Sequence, residues 1–206
     1  MFMPVLASCF ILVIAIAVAG KKGENSIKEK LEKFQERERA ANEVRRQPID
    51  DLEYLVIPEE FFGYPSDEDS HDASEARRIL ENLRSEKIVN LTGISNTDLK
   101  LRYGAANLPD LMRFDQNYTS LVRALQMYAS YLSEAGHENE AVALLEYAIK
   151  SRSDVSASYK LLGELYVKSG QKAKLEALTE NAQELDSPMK GSIVKKLEEL
   201  KSSQEF

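Results

Sequence analysis

Two glycines, Gly136 and Gly170, lie 34 residues apart, and the residues around them match at the same interval, as Ala129 does with Gly163. A period of this length is typical of a repeated unit of two helices. In such a unit, small residues lie where helices cross, and glycine lies where the chain turns. Residues near 120 to 188 are therefore predicted to form two stacked helical hairpins, and the fold class is predicted to be all-α.

Apolar periodicity sets approximate boundaries for these helices. The hairpins are predicted over 111–132 and 138–151, then over 157–168 and 171–185. Two hairpins alone bury little apolar surface, so flanking helices should complete the stack. The candidates are an amphipathic helix over 74–89, a short helix over 96–103 that ends at Gly104, and a capping helix with Ile193, Val194, Leu197 and Leu200.

The two units resemble the tetratricopeptide repeat family, whose pattern combines large apolar residues, a turn glycine and small residues at the crossing points. The matching residues are Leu125, Tyr128, Ala129, Leu132, Gly136, Ala141 and Ala148 in the first unit, and Tyr159, Leu162, Gly163, Tyr166, Gly170 and Ala182 in the second. Leu175 departs from the pattern, since the family has alanine there. The alternative is a helical bundle without the repeat geometry.

In this family the first helix of each hairpin lines a concave groove that binds a protein or peptide. The resemblance implies a groove formed by Arg123, Gln126, Ser130, Ser133, Lys160, Glu164 and Lys168. The three basic side chains could receive a carboxylate or an acidic peptide through charge-assisted hydrogen bonds. The alternative is that all seven residues are only the solvated face of amphipathic helices.

The first nineteen residues contain no charged side chain. As a helix they would span about 28 Å, close to the hydrocarbon thickness of a bilayer. Residues 1–20 are therefore predicted to be a transmembrane anchor, and Lys21 and Lys22 place the C-terminal domain in the cytoplasm. One alternative is signal-peptide cleavage after Ala17-Val18-Ala19, which would release a secreted helical protein. Lipidation of Cys9 is another.

Three further segments follow the anchor: a charged helical stalk at 21–47, an acidic flexible linker at 48–73 and the TPR-like helical domain at 74–206. The stalk is interpreted as a solvated single helix, with a short coiled coil as the alternative. Within the linker, the acidic run Asp67 to Asp72 is expected to be disordered. The aromatic island Tyr54 to Tyr64 is expected to dock onto the folded domain or to act as a linear motif.

Composition excludes several classes of function. Residues 76 to 206 carry balanced charge and no basic stripe, which argues against nucleic-acid binding. One cysteine and two separate histidines provide no metal site, and no cluster of reactive groups indicates an enzyme or a cofactor.

The predicted function is that of a membrane-tethered protein-binding adaptor or scaffold. The alternative is a structural subunit of a membrane complex. The sequence does not determine an oligomeric state, and the acidic run could fold back on the groove as an autoinhibitory lid.

Overall fold

The computed structural model describes residues 27–66 and 70–203, and within these ranges the chain is all-α, with eight α-helices and no strand. The all-α prediction is confirmed. The helices are α1 (27–43), α2 (His71–Leu83), α3 (Asn96–Tyr103), α4 (Leu108–Glu134), α5 (Glu138–Lys150), α6 (Ser156–Lys168), α7 (Lys172–Gln183) and α8 (Lys190–Ser202). Short 3-10 helices lie at Glu59–Gly63 and Ala105–Asn107.

The helices belong to two compact units. Over the described residues, the first comprises 27–48 with Ser95–Leu108, and the second comprises Ile49–Ile94 with everything from Pro109 onward. In the first unit the Glu38 carboxylate of α1 accepts hydrogen bonds from the Thr97 hydroxyl and from Lys100 Nζ at 2.8 Å, both in α3. This pairing ties the middle of the predicted stalk to a helix about sixty residues away.

Beyond α1 the chain runs alongside the end of α3, where the Gln47 amide donates to the Tyr103 carbonyl at 2.9 Å. Gly104 makes this close approach possible. Its φ is +85°, and a Cβ there would lie 2.5 Å from the Arg45 carbonyl oxygen. The stalk helix therefore ends before Pro48, and it is solvated all round only in its N-terminal half, since Ala41 is fully buried.

The second unit contains helices at the places predicted for the two hairpins, α4 and α5 and then α6 and α7. The turns between the paired helices have the same hydrogen bonds. His137 N donates to Leu132 O at 2.8 Å, and 34 residues later Gln171 N donates to Tyr166 O at 2.8 Å. Both turns contain a glycine at positive φ, +85° in the first turn and +69° in the second. The helix ends thus follow the predicted boundaries because glycine removes the steric cost of this turn.

A single apolar core joins these helices to the segments that flank them. Helix α6 packs against α5, α7 and α8. A helix is present where the capping helix was predicted, namely α8, and its Ile193 and Leu197 are buried. Gly163 permits this packing, because a Cβ at that position would lie 2.9 Å from Leu200 Cδ1.

The aromatic island in the predicted linker is docked onto the second unit. Ile57, Phe61 and Phe62 are buried in its core. The Tyr128 hydroxyl donates to Tyr64 O at 2.9 Å, and the Tyr147 hydroxyl donates to the carbonyl of residue 56 at 2.9 Å. The docking interpretation is confirmed, so in its described part this segment is not a free tether.

The helix predicted over 74–89 begins earlier and ends earlier. Ser70 accepts a hydrogen bond from Ala73 N and caps α2, so the end of the acidic run is ordered, whereas 67–69 lie outside the described residues. After Leu83 the backbone leaves the helix. Leu55 N donates to Ile88 O at 2.9 Å, and the amide of residue 89 donates to the carbonyl of residue 114 at 3.3 Å. These long-range bonds outweigh the helical periodicity that includes Ile88.

Within the described ranges, no helix combines the length and apolarity needed to cross a bilayer. The predicted anchor at 1–20 and the first residues of the predicted stalk lie outside those ranges.

Candidate functional site

The predicted groove residues of the first hairpin lie along α4. Arg123 is exposed, whereas Gln126, Ser130 and Ser133 are half-buried. Gln126 Nε2 donates to Ser130 Oγ at 3.0 Å, so these two polar side chains satisfy each other. Arg123 forms no ion pair within the described part of the chain, which leaves its guanidinium available to a carboxylate.

The predicted groove residues of the second hairpin lie along α6, and both of its basic groove residues have acidic neighbours. Lys160 Nζ lies 3.8 Å from Glu164 Oε1 on the same helix, and Lys168 pairs with Glu138 at the start of α5. Exposed pairs of this kind contribute about 1 kcal/mol or less. A partner's carboxylate could therefore replace the internal one at small cost, but the positive charge that the sequence indicated is largely balanced.

A separate hollow of about 860 Å³ lies on another face of the second unit. It is bounded by α5, α6, α7 and the loop after α2, and none of the predicted groove residues lines it. The side chains that face it combine apolar and charged groups and include Asn90, Ile94, Glu146, Ile149, Arg152, Tyr159, Leu162, Tyr166, Lys174, Leu178 and Asp186.

Three of these side chains form a hydrogen-bonded group. The Tyr166 hydroxyl and Lys174 Nζ both donate to Glu146 Oε1, at 2.7 and 2.9 Å. Burial alone would raise the pKa of the Glu146 carboxyl, but these two donors outweigh it and hold the pKa below its ordinary value. Burial and the adjacent carboxylate raise the pKa of Tyr166. The charge of the Glu146 carboxylate is therefore balanced by Lys174, and one of its two oxygens already accepts two hydrogen bonds.

Backbone carbonyls after α5 form one wall of the hollow. Asn90 Nδ2 donates to Ser151 O at 3.1 Å, and the Tyr118 hydroxyl of α4 donates to the same oxygen at 3.2 Å. Arg152 has a φ of +61°, which is unusual for a residue with a side chain. The two donors to Ser151 O hold the backbone at this turn. Burial and the nearby Asp154 raise the pKa of Tyr159 to about 12, so its hydroxyl stays protonated.

Sequence reasoning did not find this hollow, since Tyr159 and Tyr166 were interpreted as repeat positions of the core. The available signal was the polar end of each side chain, because a buried tyrosine hydroxyl needs a partner. For Tyr166 the identity of that partner, Glu146 on the preceding helix, depends on tertiary packing. Among the described residues no group of three or more His, Cys, Asp or Glu side chains could hold a metal ion.

The fold and this site describe an all-α chain with two successive helical hairpins and polar side chains on two separate faces. No family model matches the chain, and no curated protein and no solved structure is found to be similar to it.

Proposed function

We propose that this chain is a membrane-tethered protein-binding adaptor, in which α4–α5 and α6–α7 are stacked TPR-like hairpins. The observation that carries the proposal is the equivalence of the two units at a constant offset. Helix α5 begins at Glu138 and α7 begins at Lys172, 34 residues later, while α4 ends at Glu134 and α6 at Lys168, again 34 residues apart.

Burial supports the same equivalence. Apart from the turn glycines Gly136 and Gly170, which are exposed in both units, the residues at the matched positions are buried, including the small pairs Ala129/Gly163 and Ala148/Ala182. Small buried residues at equal places allow two helix pairs to cross at the same distance and angle. Repetition of one packing geometry produces an extended surface, which is the property that hairpin arrays use to bind proteins.

The exposed surface favours an adaptor over a permanent subunit. Over the described residues of α4 to α8 and their connecting turns, the large apolar side chains that are exposed are Met112 and Met189. An obligate interface resembles a domain core cut in half and would leave a much larger apolar patch on the isolated chain. A partner bound through polar and charged side chains can dissociate, as an adaptor requires.

The proposed partner is a protein or peptide that contacts the α4 and α6 groove, where Arg123 has no ion pair with any described residue. The anchor at 1–20 would hold this surface at the cytoplasmic side of a bilayer and raise the effective concentration of whatever it binds. The proposal includes no catalysis and no cofactor.

Site-specific photo-crosslinking in intact membranes tests this function. A photo-reactive amino acid would replace Ser133 in the groove, Arg152 beside the hollow, or Glu180 on the exposed side of α7, one position at a time, so that Arg123 is kept. We expect a discrete crosslinked protein at Ser133 that is absent at Glu180. Adducts at Arg152 alone would move the binding surface to the hollow. Equal labelling at all three positions, or no protein adduct at any, would refute an adaptor with a specific site.

A further inference from the structure

Three large apolar side chains near the start of α1 are exposed. Ile27, Leu31 and Phe34 are 67%, 52% and 56% exposed. Their spacing of four and then three residues places them on one face of the helix. We call these three residues the α1 stripe. An apolar stripe left in water on an otherwise charged helix is a candidate contact surface.

The same helix face is covered further along the chain. Glu38 and Ala41 continue the stripe by the same spacing. Glu38 accepts hydrogen bonds from Thr97 and Lys100 of α3, and Ala41 is fully buried. This face of α1 is therefore covered from residue 38 onward, whereas the α1 stripe has no cover from any described residue of this unit.

The charges around the α1 stripe are sorted by sign. At about 100° per residue, Lys28 and Lys30 flank the stripe on its two sides, while Glu29, Glu32 and Glu36 lie on the opposite face. Lys33 is already paired with Glu29 at 2.7 Å. An apolar face with basic flanks and an acidic back is the arrangement of a helix that lies in the interface of an anionic membrane.

A second copy of the chain fits this stripe less well. In a parallel coiled coil with the α1 stripe as its seam, Lys28, Lys30 and Gln35 would occupy the positions beside the seam. Those positions normally carry opposite charges that pair across the interface, and here they carry two bases and an amide. The basic flanks would repel each other, whereas an anionic lipid surface would neutralise them.

We infer that the N-terminal half of α1 lies on an anionic membrane surface, with Ile27, Leu31 and Phe34 in the interface and Lys28 and Lys30 against lipid phosphates. The inference rests on the membrane anchor of the proposed function. Ile27 follows Ala19, the end of the apolar run, by eight residues, which reach at most about 29 Å even when fully extended. Tethering at that distance keeps the α1 stripe next to the bilayer without a separate binding event.

The chain contains no tryptophan, so a single introduced tryptophan is a unique reporter of depth. The full chain would be reconstituted in vesicles that contain brominated phospholipids, as Phe34→Trp or as the matched control Glu36→Trp. Both positions are exposed on the same helix, two residues apart and on opposite faces. We expect bromine quenching and a blue-shifted emission for Phe34→Trp in vesicles with anionic lipid, and little of either for Glu36→Trp.

The basic flanks are tested by adding Lys28→Gln and Lys30→Gln to the Phe34→Trp variant. Each lysine near an anionic surface shifts binding about fivefold, so the pair should lower the docked-to-undocked ratio about 25-fold. Vesicles of neutral lipid should have a similar effect. If bromine quenching is the same after the two lysine substitutions and in neutral vesicles, the role of the lysines is refuted.

Vesicle flotation separates this inference from the proposed anchor. A chain that floats with the vesicles but shows equal quenching at both tryptophan positions keeps the anchor and overturns the lipid contact of α1. A blue shift at position 34 without bromine quenching would assign the α1 stripe to a second copy instead. A chain that neither floats nor is quenched overturns both.

Discussion

Replacement of Phe61 by alanine tests whether the segment before α2 belongs to the fold of the second unit. Phe61 is 2% exposed, and its ring meets the Tyr147 ring edge-on with 5.5 Å between centroids. Phe-to-Ala changes in a packed core cost about 3–5 kcal/mol, since apolar contacts are lost and a cavity is left. At about 3 °C per kcal/mol for a domain of this size, Tm should fall by about 10 °C.

Val56 provides a matched control five residues away in the same segment. Its side chain is 79% exposed, so Val56→Ala should change stability by about 0.5 kcal/mol or less. Its carbonyl, which accepts the Tyr147 hydrogen bond, is unaffected by the substitution. The assay is thermal unfolding of the full chain in a mild detergent, followed by far-UV circular dichroism.

Local undocking could limit the fall in Tm, so amide hydrogen exchange at Leu55 is the second measurement. This amide donates to Ile88 O at 2.9 Å, and the bond exists only while the segment is docked. If Phe61→Ala removes about 3 kcal/mol of docking free energy, the Leu55 amide should exchange about 100-fold faster. Equal Tm and equal exchange in the two variants would refute docking and return the segment to a flexible linker.

Three further predictions concern glycines and the hollow. Gly104→Ala should release α3 from residues 45–46, because a Cβ at this positive φ would clash with the Arg45 carbonyl. Gly63→Ala is the control, since a Cβ there meets open space. The α3 amides should exchange faster in Gly104→Ala than in Gly63→Ala. Gly136→Ala and Gly170→Ala should each destabilise the second unit by about 1 kcal/mol, because both residues have a positive φ. Gly191→Ala, inside α8, should instead stabilise the unit by up to about 1 kcal/mol. Urea unfolding measures all three changes. Tyr166→Phe should raise the pKa of Glu146 toward its ordinary 4.5, as measured by NMR titration, and Tyr159→Phe should not. Because that pKa is lowered in the folded chain, the Glu146 contribution to stability is present at neutral pH and is lost as the pH falls through the folded pKa.

Local signals were sufficient where one short stretch of chain contains the cause. Gly104 ends α3 where the sequence predicted its end, and Ser95, directly before the predicted start, accepts from the Asp98 amide and caps the helix. Helix α4 begins at Leu108, directly before the proline that favours a first helical turn. These elements depend on capping and on φ preferences, which act over three or four residues.

Long-range contacts were harder to anticipate. The amphipathic pattern that runs to Ile88 predicted a helix, but Ile88 lies in a loop because its carbonyl accepts a hydrogen bond from Leu55, more than thirty residues earlier. Likewise, nothing near Glu38 indicates that Thr97 and Lys100 bind its carboxylate. The residues around Glu38 are equally compatible with a carboxylate that is hydrated by water.

The candidate sites also combine features that the sequence indicated with features that depend on long-range contacts. The resemblance to the repeat family implied that Lys160 and Lys168 lie on the groove face of α6. It did not indicate that Glu138, at the start of another helix, would pair with Lys168, or that Glu146 would accept from Tyr166 across a helix boundary. Charge balance at a surface depends on which helices are neighbours, and that is set by packing.

By itself the sequence determined the all-α class, the ends of the hairpin helices and the buried faces of those helices, because glycine turns, caps and apolar periodicity act within a few residues. Only the tertiary structure decided that Phe61 and its neighbours complete the core, that α3 covers the second half of α1, and that Tyr166 faces Glu146 across the hollow. Those contacts join residues far apart in the chain, and their free energy exists only after distant segments have packed together.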